Sequence, residues 1–491
     1  MAEPSFQKKT TLDKDLEKVA RLEKASRMAG REVGRLGLGL IFLLGVLLVV
    51  QLNVGLSHGS LFIVVAAVIG GYMALNIGAN DVANNMAPAV GSRALTMTGA
   101  LIIAAIFEAG GALLAGGDVV STVSKSIIDI SAVGDADTFI LAMMSALLAA
   151  ALWVNLATYV GAPVSTTHAV VGGIMGAGVV AAQWSAVNWL VMAKIAASWV
   201  ISPLLGGLLA AAILALIKAL IIFRQDKIAA ARRWVPLFVA VMAAAFSAYL
   251  MIKGFKRIWR PDGLTIAVLS LVAFVVAFAL TKPVVVRAAR SLGNRRKDVG
   301  KLFVAPLICS AALLSFAHGA NDVANAIGPL AAIVSAVSTG GVAAKVSVPV
   351  WVMLVGAVGI ASGLALFGPK LVRMVGEKIT RLDPVRAYAV ALAAALTVIV
   401  ASGLGLPVSS THIAVGAIFG VGFLRELIAG RPHLLSFAAG FNDGGPKKAR
   451  KRRLVRRKYI FTIIAAWLIT VPLAAVLGGV CYLALATVFY G

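Results

Sequence analysis

The chain has 491 residues, of which 60% are hydrophobic and 13% charged, and its mean hydropathy is +0.96. Apolar stretches of about 20 residues, long enough to cross a hydrocarbon core, follow one another with few interruptions, which excludes a set of soluble domains. The net charge of +25 is concentrated in short basic loops, such as KKARKRRLVRRK at 447–458. Basic loops of this kind are typical of the cytoplasmic face and of contact with membrane lipids, and they require no nucleic-acid partner.

The sequence predicts an all-α polytopic membrane protein with about 12–13 membrane segments. The polar residues 1–35 are expected to form a cytoplasmic N-terminal extension, and 36–56 an extra, uncleaved span. Five segments follow within 61–223, near 61–85, 94–116, 137–160, 163–182 and 187–222. Basic loops and an extra membrane hairpin, 235–281, occupy 224–301, and further segments fill 302–490.

Two short peptides each occur twice. GANDVANNMAP at 78–88 is matched by GANDVANAIGP at 319–329, and GAPVSTTH at 161–168 by GLPVSSTH at 405–412. The copies come in the same order and are separated by 241 and 244 residues, so 61–223 and 302–490 are interpreted as two transport repeats.

We expect a protein of the inner membrane, and the distribution of the basic loops predicts that its N-terminus lies in the cytoplasm. Each repeat then has an odd number of segments and is entered from the opposite face, which gives an inverted-topology repeat.

The first peptide places polar groups at membrane depth, where they are costly and mark function. In each copy of GANDVAN an aspartate lies one residue after one asparagine and three before another, so all three share a helix face. The glycine is expected to open the helix. The candidate coupling-cation residues are Asn80, Asp81, Asn84, Asn321, Asp322 and Asn325. Asp81 and Asp322 could bind Na+ or carry protons; the alternative is a structural Asn–Asp network.

In the second peptide, glycine and proline interrupt the apolar run, and proline is expected to start a half-helix. Hydroxyls in the first turn, together with free N–H groups, would form a cradle for an anion. The candidate anion-binding residues are Ser165, Thr166, Thr167, Ser409, Ser410 and Thr411. The alternative is that these hydroxyls only cap the helix.

Three further polar residues are candidates for a proton path: Glu108, His168 and His412. A buried histidine bonded to a backbone carbonyl is the alternative for the latter two. The repeats differ here, because Glu108 aligns with Ile360 and His318 with Ile77.

Neither peptide contains Lys or Arg, although the hydroxyl cradle suits an anion. An ionised aspartate repels a phosphate dianion by about 4 kcal/mol per pair of unit charges at about 4 Å and an effective dielectric of about 20. Either a cation lies between the carboxylate and the anion, or the carboxylate is protonated. Both alternatives couple anion to cation and predict symport.

These doubled peptides closely resemble the inorganic phosphate transporter (PiT) family along about 61–490. The resemblance implies discontinuous helices, alternating access, a homodimer and a central site for inorganic phosphate. It also implies that Asp81, Asp322 and their asparagines hold the coupling cation, H+ or Na+, with no other cofactor. Sodium-driven relatives carry an acid before the PVS peptide, where this chain has Met143 and Ala391, so H+ stays open.

Three other functions are weighed against phosphate symport, of which one is a passive channel or a phosphate sensor. A permease for sulfate or another tetrahedral oxyanion would use the same hydroxyls. An intramembrane protease is not expected, because Ser and His three residues apart on one helix lack the geometry of a base and its nucleophile.

Overall fold

A computed structural model of the chain describes residues 11–55, 59–128, 132–255, 259–339, 348–378, 382–430 and 457–490. Within these ranges the regular structure is helical, apart from one isolated bridge between Ile128 and Val187. Twelve of the described helices are long and apolar enough to span a membrane, and Thr166–Ala182 is a shorter apolar helix. The predicted all-α, multi-pass membrane fold is therefore confirmed. Residues 1–10 of the extension and 431–456, with most of the basic stretch 447–458, lie outside the described ranges.

The helices are α1 (Thr11–Val54), α2 (Ser60–Gly91), α3 (Met97–Ala115), α4 (Gly117–Lys125), α5 (Ala136–Val160), α6 (Thr166–Ala182), α7 (Trp189–Ile217), α8 (Lys227–Tyr249), α9 (Gly263–Ala289), α10 (Arg296–Leu302), α11 (Val304–Thr339), α12 (Val350–Lys378), α13 (Pro384–Gly403), α14 (Ser410–Gly430) and α15 (Arg457–Tyr490). Single π-turns extend α7 through Lys218–Ile222 and α8 through Leu250–Gly254. The predicted segments near 61–85, 94–116, 137–160, 163–182 and 187–222 correspond to α2, α3, α5, α6 and α7. However, α2 continues beyond 85 through the whole first peptide, as α11 does through its second copy, and α6 begins only at Thr166.

The GANDVAN copies do not open the helix, contrary to the prediction. Gly78 lies inside uninterrupted α2, and Gly319 lies inside uninterrupted α11. A Cβ on Gly78 would overlap the Ile360 carbonyl oxygen of α12, and a Cβ on Gly319 would overlap the Glu108 carbonyl oxygen of α3. These glycines therefore allow the backbones of neighbouring helices to pack closely, as small residues do in membrane bundles.

The predicted discontinuities occur at the second peptide. The chain leaves α5 at Gly161 with φ 84° and leaves α13 near Gly405 with φ 70°, and both values favour glycine. The new helices begin only at Thr166 and Ser410, so Pro163 and Pro407 precede them instead of starting them.

The last helix of each predicted repeat packs against the half-helix of the other. On one side α15 covers α6, where a Cβ on Gly176 would overlap the Ala475 carbonyl oxygen. On the other side α7 covers α14, where a Cβ on Gly420 would overlap the Gly207 carbonyl oxygen. The two repeats are thereby interlocked by the same exchange on both sides.

The accessory segments lie around this core. The apolar part of α1, Glu32–Val54, packs on α2 and α12 and corresponds to the predicted span 36–56. The hairpin helices α8 and α9 pack on each other, and none of the apolar window of α9 is buried. The rest of the described chain therefore leaves the apolar surface of α9 uncovered.

The predicted loop 117–136 contains α4, which the sequence did not suggest because nine residues carry too little periodicity. Its valines 119, 120 and 123 are buried, and the helix packs on α11. The segment therefore belongs to the packed core of the bundle.

Adjacent glycines in α3 offer a matched test of helix packing. We expect Gly111→Ala to lower the melting temperature in detergent, because its Cβ would overlap the Phe316 carbonyl oxygen and overpacking costs about 1–3 kcal/mol. Gly110→Ala is the control, since its Cβ would lie 3.8 Å from the Phe316 ring, an ordinary contact. Equal melting temperatures for the two variants would contradict the packing described for α3 and α11.

Candidate functional site

The two aspartates of the first peptide are buried and accept hydrogen bonds from the first turns of the half-helices. The Thr166 hydroxyl donates to Oδ2 of Asp81 (2.9 Å), and the Ser410 hydroxyl donates to Oδ2 of Asp322 (2.8 Å). All four residues are at most 3% exposed. The candidate cation and anion residues thus contact each other directly, in the same way in both repeats.

The second asparagine of each peptide reaches across to the other repeat. Nδ2 of Asn84 donates to the Thr411 hydroxyl (2.8 Å) and lies 3.3 Å from Oδ1 of Asp81. Nδ2 of Asn325 donates to the Thr167 hydroxyl (3.0 Å). Because each bond joins residues of different repeats, the two half-sites form one site.

The first asparagine of each peptide braces the helix break of its own repeat. Nδ2 of Asn80 donates to the Thr158 hydroxyl (3.0 Å), and its Oδ1 accepts from the Val164 N–H (3.3 Å). Nδ2 of Asn321 donates to the Ser402 hydroxyl (2.9 Å). These amides hold the non-helical segments against α2 and α11. The contacts of Asn80 and Asn321 thus agree with the alternative in which the asparagines have a structural role.

Ser165 and Ser409 act as helix caps. The Ser165 hydroxyl accepts from the backbone N–H of His168 (3.1 Å), and the Ser409 hydroxyl accepts from the backbone N–H of His412 (3.2 Å). The capping alternative is therefore observed for these two hydroxyls, and their predicted contact with an anion stays a prediction. The hydroxyls that contact the carboxylates or the bridging asparagines are those of Thr166, Thr167, Ser410 and Thr411.

His318 is the residue that the sequence reading missed. Its Nε2 lies 2.8 Å from Oδ2 of Asp322 and 3.8 Å from Oδ2 of Asp81, and its Nδ1 lies 3.3 Å from Oε2 of Glu108. The absence of Lys and Arg from the two peptides therefore does not leave the carboxylates without a basic neighbour. The signal was its spacing, because His318 stands four residues before Asp322 on the same helix face.

Glu108 is joined to the site through His318 and Asn85. Nδ2 of Asn85 donates to Oε1 of Glu108 (2.8 Å), and both side chains are fully buried. The positions equivalent to these two residues in the other repeat hold Ala326 and Ile360. Among the described residues, the acid–base contacts therefore extend from the aspartates toward Glu108 and have no counterpart at these equivalent positions.

The other two residues assigned to the proton path lie elsewhere. The rings of His168 and His412 have centroids 4.3 Å apart, and that of His168 is 3.9 Å from Trp199. Together they line a largely apolar cavity of about 1,100 Å³ bounded by α6, α7, α14 and α15. The structure thus groups Glu108 with the aspartates and separates it from the two histidines.

The site around Asp81 and Asp322 offers ligand atoms for a cation and hydrogen-bond donors for an anion. One ligand atom from each of Asp81, His318 and Asp322 lies within 4.8 Å of the other two. Carboxylate oxygens suit Na+, and a carboxylate–imidazole contact of 2.8 Å suits a shared proton. The neighbouring hydroxyls and amides can donate to an oxyanion.

A small cavity adjoins this centre on one side. It has a volume of about 30 Å³ and begins at Asn84 and Thr411. It extends between α2, α12 and α14 as far as Gly91 and Gly376. This volume exceeds the roughly 10–15 Å³ that a cavity needs in order to hold one water molecule.

Comparison with known proteins gives the family. The model of the phosphate transporter family matches residues 77–478. A Helicobacter pylori (strain J99) protein, named as a candidate phosphate permease, is 43% identical over 96% of this chain and 98% of its own. The Arabidopsis thaliana protein "Inorganic phosphate transporter 2-1, chloroplastic" is 38% identical over 83% of this chain and 69% of its own.

One solved structure is also similar. It is that of a sodium-dependent phosphate transporter, 34% identical, with a TM-score of 0.79 over 87% of this chain and 100% of that chain. The fold is therefore that of a transporter rather than an enzyme, and the chain belongs to the phosphate transporter family.

Proposed function

We propose that the chain is a secondary active transporter that carries inorganic phosphate together with a coupling cation, H+ or Na+, across the inner membrane. The observation that carries this proposal is the direct contact between hydroxyl donors and carboxylates, at Thr166–Asp81 and Ser410–Asp322. An oxyanion that recruits these hydroxyls deprives the carboxylates of their donors. A cation must then stabilise the carboxylates, so the two solutes bind together.

The anion is held at the facing N-termini of α6 and α14. Thr166, Thr167, Ser410 and Thr411 supply hydroxyls there, and the helix dipoles favour a negative charge. Ser165 and Ser409 contribute by keeping the two N-termini capped in place. The names of the relatives support phosphate as this anion.

The cation is held at Asp81 and Asp322. With Glu108, three carboxylates face a single imidazole in a fully buried space. Burial of unbalanced charge is costly, so this group favours the uptake of positive charge. Asn84 and Asn325 link this group to the hydroxyls, whereas Asn80 and Asn321 support it by bracing the breaks.

Both coupling ions have support. The sodium dependence of the solved relative favours Na+ at the two aspartates. The short contact between His318 and Asp322 favours a proton at the same place.

Alternating access uses the two inverted repeats, 61–223 and 302–490, while 1–35, 36–56 and 224–301 stay outside the moving core. We place the N-terminus, and the cavity that runs toward Gly91, on the cytoplasmic side. On the opposite side the Thr122 hydroxyl of α4 donates to the Gly405 carbonyl (2.7 Å) and ties α4 to the break before α14. We retain the homodimer as part of the proposal.

Imposed gradients in proteoliposomes test coupling and substrate. We expect phosphate to accumulate only under an inward H+ or Na+ gradient, whichever ion is coupled, and to leak out when that gradient is dissipated. Arsenate should compete with labelled phosphate, and sulfate should not. Gradient-independent, downhill flux would indicate a channel, and competition by sulfate without phosphate transport would show that the substrate is wrong.

Isosteric removal of one charge tests the cation role. We expect Asp81→Asn or Asp322→Asn to reduce uptake about 100-fold or more, equivalent to about 2.7 kcal/mol, while the protein still inserts. Asp137→Asn, on an exposed aspartate in the first turn of α5, is the matched control. Normal uptake by both site variants would refute the cation role.

Removal of one hydroxyl tests the anion role. We expect Thr166→Val and Ser410→Ala each to raise the KM for phosphate about tenfold, because one hydrogen bond contributes about 0.5–1.5 kcal/mol. Thr397→Val is the control, since this buried threonine donates to the Ala393 carbonyl of its own helix. A KM that changes equally in all three variants would point to a packing effect instead.

A further inference from the structure

Four basic side chains gather where α7, α10, α13 and α14 meet, at the ends that the loop charges place in the cytoplasm. We call them the basic cluster: Lys218 in the π-turn after α7, Arg296 at the start of α10, Arg386 in the first turn of α13, and Arg425 near the end of α14. Arg296, Arg386 and Arg425 all lie within electrostatic range of Lys218. The cluster draws on the first repeat, the connecting segment and the second repeat.

The basic cluster is partly buried. Lys218 is 7% exposed, and the side chains of Arg386 and Arg296 are 16% and 53% exposed. An ammonium group is strongly hydrated and is rarely buried without a partner. The cluster therefore runs from a buried lysine to an arginine at the surface.

The basic cluster has too little negative charge nearby. Oδ2 of Asp383 lies 2.9 Å from Nη2 of Arg386 and 3.7 Å from Nη2 of Arg296. Within the described ranges, Asp383 is the carboxylate that acts on Lys218, Arg386 and Arg425. Among the described residues, the ion-pair contacts of the four cations come from this one carboxylate, so the basic cluster carries excess positive charge. The buried Nε of Arg386 also has no hydrogen-bond acceptor among the described residues.

The orientation of the protein in the membrane does not require this burial. The positive-inside rule is satisfied by exposed residues such as Arg287 and Arg290, whose charge water stabilises. Lys218 adds to that count only at the cost of desolvation and repulsion. Such an arrangement is explained by an anion that neutralises it.

We propose that the basic cluster is a second anion site, which binds a phosphate group outside the transport pathway. Guanidinium groups recognise phosphate oxygens by paired hydrogen bonds, and a lysine adds a point charge. The phosphate group belongs either to an anionic phospholipid headgroup or to soluble phosphate. Because α14 carries Arg425 near one end and Ser410 at the other, a bound anion clamps the half-helix of the transport site to α7.

Thermal unfolding of the purified full-length protein tests this site. The probes are inorganic phosphate, added to protein in phosphatidylcholine nanodiscs, and nanodiscs that contain phosphatidylglycerol. To weaken the contribution of the central site to the readout, all variants are compared in a Thr166→Val/Ser410→Ala background, in which each substitution is expected to raise the KM for phosphate about tenfold. We expect Lys218→Gln and Arg425→Gln each to weaken the stabilisation by the effective probe at least tenfold in apparent affinity, with Lys218→Arg retaining it.

The variants should also differ without any anion. Relief of repulsion should make Lys218→Gln melt above its parent in phosphate-free phosphatidylcholine, whereas Arg287→Gln and Arg290→Gln, the controls, should not change. A response to phosphate identifies a soluble ligand, and a response to phosphatidylglycerol alone identifies a lipid. If Lys218→Gln does not fold, the response of Arg425→Gln to the probes decides whether the site exists, because Arg425 is less buried.

Two results would overturn the proposal: the same probe response in Arg425→Gln as in the exposed controls, or no response of the parent to either probe. Transport is measured in a separate experiment, as phosphate uptake by protein that carries none of the background substitutions. Failure of the second site therefore leaves the proposed symport untouched, and failure of symport leaves the unfolding result standing.

Discussion

Asp81 and Asp322 are buried where α2 and α11 pass each other, and much of the surrounding structure serves to keep two carboxylates there. They need hydrogen-bond donors, which an unbroken transmembrane helix cannot offer from its backbone. The breaks before α6 and α14 bring Thr166 and Ser410 to them. The asparagines hold those breaks, and the glycines let the supporting helices approach closely enough to exclude lipid.

The hydroxyl part of this arrangement is nearly the same in both repeats, whereas the acid–base part is not. His318, Glu108 and Asn85 extend the network toward α3, and apolar residues occupy the equivalent positions on the other side. A tetrahedral anion can use equivalent donors from two sides. A cation that enters or leaves along one route needs polar groups on that route alone.

The duplicated peptides allowed much of this to be predicted from the sequence. The number of spans and the breaks at Gly161 and Gly405 follow from local composition and from repetition, whereas the hydrogen bonds between hydroxyls and aspartates join separate helices and are seen only in the fold. The role of Gly78 could not be read in this way, because a glycine that opens a helix and one that admits a neighbouring backbone look alike in a sequence. Only the position of Ile360 distinguishes them.

His318 was not predicted as a site residue for a related reason. A single residue with no counterpart in the other repeat carries no signal of duplication, and its contacts with Glu108 and Asp81 join distant parts of the chain. The same limit applies to His168 and His412. Their motif positions are equivalent, but the packing of α7 and α15 decides that their rings line an apolar cavity.

The exchange of terminal helices has a consequence for biosynthesis. The glycine-rich face of α6 fits α15, which leaves the ribosome about 275 residues later. Because synthesis proceeds at about 5–20 residues per second, that face lacks its packing partner for tens of seconds after it has been made. During this interval the first half of the protein is inserted but incomplete, so its quality control must tolerate an exposed half-helix until the last span arrives.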